Sequence, residues 1–251
     1  MVVDYEKDGR IAIFTINRPE AMNSLSEEVH RELGKAMMDF GNDPDLWVGI
    51  LTGAGEKSFS AGQDIKEFRS GPEQEGSPSA YNVADRIWKP FIAAINGFAL
   101  GGGLELALTC DIRIAAEHAR LGQPEVNIAF MPGGGGTQRL PRFVPRALAA
   151  ELLLTGRLID AQEAYRIGLV NKVVPLDQLM PTAREMAETI CQKGPLGVRA
   201  VKEAMIKGYS MTLEEGLGLE KELSNYLRST EDFMEGARAF AEKRPPVYRA
   251  K

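Results

Sequence analysis

Short, mostly apolar runs, each closed by a turn residue, recur along the chain at residues 11–17, 47–53, 91–97, 111–116 and 169–174. They are too brief for helices. Their nearly continuous apolar character predicts strands covered on both faces. Between them the spacing turns helical. Ser26 is placed to cap a helix over residues 27–40, with Glu28 and Val29 in its first turn. Residues 147–154 are also helix-like, and from Leu176 to Lys243 every pattern is helical, with breaks at Gly194-Pro195 and near Gly208. The pattern predicts an α/β core over residues 1–193 and a helical region over residues 194–251. The strand–strand–helix rhythm favours a stacked spiral, although periodicity alone does not separate it from a doubly wound sheet. Residues 68–81 keep no apolar period and hold Gly71, Pro72, Gly76 and Pro78. They form a loop between two chemistry-bearing segments, and a lid and a plain connection both fit.

Composition narrows the class. With 251 residues, 44% of them apolar, the chain can bury a sizeable core without disulfides. The formal net charge of −5 gives nucleic acid no footing as a partner. No stretch approaches about 18 apolar residues, so no membrane span is expected. Met1 to Arg10 is charged without an apolar run, which predicts no signal peptide. Cys110 and Cys191 lack metal-ligand spacing and read as free thiols of a reducing, cytoplasmic compartment. His30 and His118 are isolated, without zinc-like companions, and are expected at the surface. No metal site is expected. The stretch Gly53-Ala54-Gly55-Glu56-Lys57-Ser58 lacks P-loop spacing, and there is no Gly-x-Ser-x-Gly elbow.

Two glutamates twenty positions apart (125 − 105) carry the chemistry. Glu105 follows Gly101-Gly102-Gly103 inside an otherwise apolar helical segment, where a carboxylate is costly unless paired, protonated or used. Glu125 follows Gln123-Pro124 in a loop and alone says little. A carboxylate pair supplies both members of an acid/base couple. Glycine turns entering helices leave backbone N–H donors unspent, and two of them aimed at one point make an oxyanion hole. Gly102 opens one such helix. Ser60-Ala61-Gly62-Gln63-Asp64 offers the second donor at Gln63, with Asp64 in a helical first turn. The donors are backbone groups, so the Gln63 side chain is expected to matter little. Alone, each stretch reads more readily as a plain turn than as a donor site. Together they describe an enzyme that adds or moves a proton beside a carbonyl.

Several segments, taken in order, resemble the crotonase superfamily, and most closely its enoyl-CoA hydratases. They are Asn17-Arg18-Pro19, Leu51-Thr52-Gly53, residues 59–65, residues 89–97, residues 101–107, Cys110-Asp111, Gln123-Pro124-Glu125, residues 132–140, residues 154–156, residues 168–170 and residues 239–244. The resemblance implies a spiral of repeated ββα units with a C-terminal helical region that builds trimers and stacks them into hexamers. It implies an acyl-CoA substrate and no separate cofactor, since coenzyme A arrives as part of the substrate. The N–H groups of Gln63 and Gly102 would polarise the thioester carbonyl. Glu105 would be the base toward water, and Glu125 would protonate the α-carbon. Coenzyme A would lie along Ala21, Met22, Ala61, Gln63, Asp64 and Ile65, with Lys66 at a phosphate. Phe240 and Lys243 would reach it from a neighbouring subunit. Phe68, Trp88, Phe130, Pro132 and Gly133 would line the acyl pocket. Phe130 stands where many relatives carry a smaller residue, which implies short acyl chains unless the ring packs into the core. Ala129 stands where glycine is common. A Δ3,Δ2-enoyl-CoA isomerase, a dienoyl-CoA hydratase and a non-catalytic CoA- or RNA-binding protein are the competing readings.

Overall fold

Strands and helices alternate through two sheets in the computed structural model, which describes residues 1–67 and 79–251. In chain order the elements are β1 (Val3–Asp8), β2 (Ile11–Ile16), α1 (Glu27–Asn42), β3 (Val48–Gly53), β4 (Ser58–Ser60), α2 (Ala80–Ala84), β5 (Phe91–Ile95), β6 (Phe98–Leu100), α3 (Gly102–Leu108), β7 (Ile112–Ala116) and β8 (Arg120–Gly122). They continue with α4 (Gly136–Phe143), α5 (Arg146–Thr155), β9 (Ile159–Asp160), α6 (Ala161–Arg166), β10 (Lys172–Val174), α7 (Leu176–Cys191), α8 (Pro195–Gly208), α9 (Leu213–Arg228) and α10 (Glu231–Glu242).

One sheet has the order β1-β2-β3-β5-β7-β10 and the other β4-β6-β8-β9. The first strand of each pair (β3, β5, β7) joins the larger sheet in parallel. The second (β4, β6, β8) joins the smaller one, also in parallel. Each ββ unit therefore advances both sheets by one strand, which makes the chain a spiral rather than a doubly wound sheet. The turns between paired strands line up along the spiral, and so do the segments that follow β4, β6 and β8. Those three segments carry Gln63, Gly102 and Glu125.

The sequence alternation explains the two-sided burial of the larger sheet. Ala12, Phe14 and Ile16 of β2 and Phe91, Ala93 and Ile95 of β5 face one core, together with Val29, Leu33, Met37 and Phe40 of α1. The intervening Ile11, Ile13, Ile92 and Ala94 face a second core, closed by Leu179, Ala183 and Ala187 of α7. A period of two on strands with a helix on each face produces the continuous apolar runs of the sequence. Ser26 caps α1 as expected, accepting from the Val29 N–H at 3.2 Å.

Helix α8 is fastened to the core by Lys202, whose ammonium lies 2.9 Å from Asp111 and donates to the Lys89 carbonyl at 3.0 Å. Lys89 is itself buried and donates to the Phe40 and Asp43 carbonyls, satisfying the C-terminal end of α1. Burial holds its pKa down at about 8. Helix α9 has no buried residue, and large apolar side chains stay exposed along α8 to α10, among them Val201, Met205, Leu217, Phe233 and Phe240. Among the described residues, no helix is long and apolar enough to cross a membrane.

Candidate active site

Strand β6 ends at Leu100, and the chain enters α3 through Gly101 at φ 52°, ψ −126°, a conformation that requires glycine. The Gly101 N–H donates to the Gly122 carbonyl at 2.9 Å, which pins this turn to β8. Gly102 is the first helical residue, so its N–H has no helical acceptor. Gln63 lies beside Leu25 in a parallel bridge. Leu25 donates to the Gly62 carbonyl and accepts from the Asp64 N–H, which leaves the Gln63 N–H facing the other way. The two donors are neighbours. A Cβ built on Gly102 would stand 3.4 Å from the Gln63 nitrogen, and one built on Gly62 would stand 3.2 Å from the Gly102 nitrogen.

The carboxylates close on the same place. Glu105 is buried on the first turn of α3 and accepts from the Gly136 N–H at 2.7 Å. Burial raises its pKa, and the N–H groups of Gly134, Gly135 and Gly136 partly offset the rise. The glycine run before α4 is thus a cradle for Glu105. It has no room for a side chain: a Cβ on Gly134 would lie 2.7 Å from Glu105 Oε2. Glu125 sits in a 3-10 turn at Pro124–Ile128, and its Oε1 would be 3.1 Å from a Cβ on Gly101. Burial pushes its pKa up to about 7, and the Glu105 charge adds to the rise. Two carboxyls in one half-dry place cannot both ionise cheaply, so one proton is retained near neutrality. Two carboxyls with raised pKa and two backbone N–H groups at turn positions are therefore close neighbours. Among the described residues, no group of three or more His, Cys, Asp or Glu is placed to hold a metal.

The residues expected along coenzyme A lie where the chain is accessible. Ala21 and Met22 close a 3-10 turn, Ala61 donates to the Met22 carbonyl at 3.0 Å, and Ile65 and Lys66 are exposed. Asp64 is engaged by Arg18 at 3.0 Å, which lowers its pKa and leaves backbone groups to meet a ligand. A surface cleft of about 440 Å³ includes Met22, with Lys57, Phe98 and His118, and lies apart from the carboxylates. Phe240 is 88% exposed at the end of α10, and Lys243 follows in the left-handed conformation.

The expected acyl-pocket residues are less uniform. Phe68 lies outside the described residues, as does most of the proposed lid. Trp88 is half-buried, with the Lys207 ammonium of α8 5.2 Å from its ring. Pro132 is buried and Gly133 exposed, at the entry to the Glu105 cradle. Phe130 is 48% exposed, so its ring is not a core side chain. Ala129 adopts φ 57°, the left-handed conformation that ends the 3-10 turn bearing Glu125. An L-residue pays for that conformation. Ala129→Gly is accordingly expected to stabilise the fold by about 0.5–1 kcal/mol, read as a higher midpoint in urea; a lower midpoint contradicts the strain.

Four residues with no assigned role belong to the site. Gln123 is fully buried and satisfies its neighbours with its amide nitrogen turned toward Glu125, 3.0 Å from Oε1 and 3.2 Å from Oε2. Tyr81 donates to the Gly102 carbonyl at 3.1 Å. Arg139 donates to the Gly134 carbonyl at 2.7 Å and pairs with Asp85 at 2.5 Å, bracing the Glu105 cradle. His30, expected at the surface, is buried against Tyr81 with ring centroids 5.2 Å apart. Its signal was in the α1 pattern, because positions 30, 34 and 37 share the inner face with 29 and 33.

Comparisons with known proteins cover nearly the whole chain. The family model described as enoyl-CoA hydratase/isomerase matches residues 6–251. The chain is 46% identical over 256 residues to (E)-benzylidenesuccinyl-CoA hydratase of Thauera aromatica, with 99% of each chain covered. It is 45% identical over 245 residues to a short-chain-enoyl-CoA hydratase of Clostridium acetobutylicum, covering 95% of this chain and 94% of that protein. The structure superposes on the crystal structure of an enoyl-CoA hydratase from Bacillus anthracis with a TM-score of 0.93 at 43% identity, over 100% of both chains.

Proposed function

We propose, from the premise that this chain belongs to the enoyl-CoA hydratase/isomerase family, that it is a hydratase of 2-enoyl-CoA thioesters. It adds water reversibly across the double bond to give 3-hydroxyacyl-CoA. The observation that carries the reading is the pair of raised-pKa carboxyls, Glu105 and Glu125, beside the free N–H groups of Gln63 and Gly102. An isomerisation, which only moves a proton, needs a single acid/base group; water addition uses two.

The enoyl thioester oxygen accepts from the Gln63 and Gly102 N–H groups. These donors favour the enolate-like charge that grows there as the bond to water forms. Glu105 takes a proton from the water as its oxygen bonds to the β-carbon. Glu125, protonated near neutrality, gives its proton to the α-carbon. No cofactor or metal enters, and coenzyme A is the substrate's handle along Ala21, Met22, Ala61, Asp64, Ile65 and Lys66. The free thiols Cys110 and Cys191 suit a cytoplasmic setting. Incubation with crotonyl-CoA tests the reading. Loss of the enoyl thioester absorbance is expected. Unchanged absorbance with tight binding, or a gain from a 3-enoyl-CoA alone, would replace it with a binder or an isomerase.

The acyl group is short in this reading, because Phe130 stands two residues past the turn that carries Glu125. Phe130→Ala should narrow the preference for crotonyl-CoA over a ten-carbon enoyl-CoA by about tenfold in kcat/KM, in line with the 1–3 kcal/mol that a misfitting methylene costs. The ring is half-exposed, so the unfolding midpoint should barely move. An unchanged substrate ratio would free the ring from the pocket.

Residues 194–251 serve assembly in the same reading. The large apolar side chains exposed along α8 to α10 supply the surface a subunit interface would cover. A trimer or hexamer is expected by sedimentation, with Phe240 and Lys243 reaching the ligand of the next subunit. A strictly monomeric active enzyme contradicts this.

A further inference from the structure

His30 is the one polar side chain among the buried positions of α1, where it sits with Val29, Leu33, Met37 and Phe40. A buried imidazole is retained at a cost unless its nitrogens are used. Both are used here. The Ala80 N–H, at the start of α2, points to Nδ1 at 3.4 Å. A ring accepting at Nδ1 carries its proton on Nε2, and Nε2 lies 3.3 Å from Gln63 Oε1. The imidazole therefore donates to the side chain of the residue whose backbone N–H is one of the two carbonyl-polarising donors. The next residue, Tyr81, packs edge-on against the His30 ring and donates to the carbonyl of Gly102, the other donor residue. Through His30 and Tyr81, one end of α2 touches both halves of the oxyanion hole.

We propose that His30 is a positioning residue: its hydrogen bond to the Gln63 side chain, together with its contact with Ala80 and Tyr81, fixes the direction of the Gln63 N–H relative to that of Gly102. The inference rests on the hydratase reading above. It gives the Gln63 side chain a function that its place in the sequence motif does not suggest. The Gly62 carbonyl that accepts from Leu25 shares one peptide plane with the Gln63 N–H, so Leu25 sets the side to which that N–H points, while Gln63 itself is exposed. One hydrogen bond at an exposed position fixes the side of the peptide but leaves its plane able to tilt about that bond. A second anchor, the side-chain bond to a buried ring, limits that tilt.

Three substitutions test this. His30→Leu keeps an apolar volume on α1 but donates nothing, His30→Gln keeps a donor, and Gln63→Ala removes the acceptor from an exposed position. The readouts are kcat and KM with crotonyl-CoA, the unfolding midpoint, and the absorption of bound cinnamoyl-CoA. The last moves to longer wavelength as its carbonyl is polarised. For His30→Leu and Gln63→Ala, kcat should fall about 10- to 100-fold, the scale of a misplaced reacting group. KM should stay within about threefold, since the coenzyme contacts lie elsewhere. Most of the wavelength shift should be lost, and His30→Gln should recover part of both. The His30→Leu/Gln63→Ala double variant should be no worse than either single. A Gln63→Ala enzyme with full kcat and full wavelength shift overturns the proposal, even if His30→Leu fails to fold. Additive losses in the double variant also overturn it. A wild-type protein that shifts bound cinnamoyl-CoA but leaves crotonyl-CoA unhydrated sinks the hydratase reading alone, and the wavelength arm still decides the role of His30.

Discussion

Glu105→Gln and Glu125→Gln should each lower kcat for crotonyl-CoA hydration by about 10²–10⁴-fold, the usual consequence of removing a positioned acid or base. The amide keeps the shape of the carboxyl, so coenzyme A binding should survive. Either variant with near-normal turnover would remove that residue from the mechanism. The environments of the two groups add a dependence on pH. Glu125 is held near 7 by burial and by the Glu105 charge. As proton donor it is competent below that value, so kcat/KM should decline as pH rises through about 7. Stability follows the same titration with a definite sign. A carboxyl whose folded pKa lies above its unfolded one binds its proton more tightly in the native state. Its contribution is complete below the ordinary carboxylate range and is lost as pH rises through the folded value. Glu125→Gln carries no charge at any pH. It should therefore unfold at a higher midpoint than the parent protein at pH 8, with no such advantage at pH 4. An inactive variant that is also more stable at pH 8 marks a group kept for chemistry against its electrostatic cost. An inactive variant destabilised at every pH would instead mark Glu125 as structural.

The parts of this fold that were legible in the sequence are those in which one physical signal dominates. β2, β3, β5 and β7 are unbroken apolar runs because α1 and α7 cover both faces of their sheet. The capping serine of α1 and the breaks at Gly194 and Gly208 are local chemistry. The strands of the smaller sheet, β4, β6, β8 and β9, have two or three residues each, too few to show a period. β1 is an edge strand paired only with β2, and its half-polar composition hides it. The third break in the helical tail, at Ser229-Thr230, has no glycine or proline to mark it, yet Thr230 caps α10 by accepting from the Phe233 N–H at 3.1 Å. The site shows the same division. Glu105 stood out as a carboxylate in an apolar helix. Gln123, Tyr81 and His30 did not, since their roles arise from contacts between segments distant in sequence, such as His30 with Gln63 and Tyr81 with Gly102. The left-handed Ala129 was visible only as an alanine in an unusual place, and its meaning came from φ.

Gly102→Pro should abolish hydration, because it deletes one of the two N–H groups to which the proposed mechanism assigns the developing oxyanion. Loss of one such donor typically raises the barrier by about 3–4 kcal/mol. The position is favourable for a clean test. Gly102 is the first residue of α3, where proline is tolerated and its missing N–H breaks no helical bond. The fold should therefore persist. One complication is steric: a Cβ at this position would come within 2.6 Å of the Tyr81 hydroxyl and displace it from the Gly102 carbonyl. Gly102→Ala is the matched control, since it moves Tyr81 in the same way but keeps the N–H. The difference between the proline and alanine variants isolates the donor, and the loss in Gly102→Ala measures the Tyr81 contact. The proline variant should lie at least about 100-fold below the alanine variant in kcat, with similar affinity for a saturated acyl-CoA, which has no double bond to hydrate and draws its affinity mainly from the coenzyme. Equal turnover in the two variants would mean that the Gly102 N–H does not face the thioester oxygen, and the carbonyl would have to be polarised by groups other than the pair at Gln63 and Gly102.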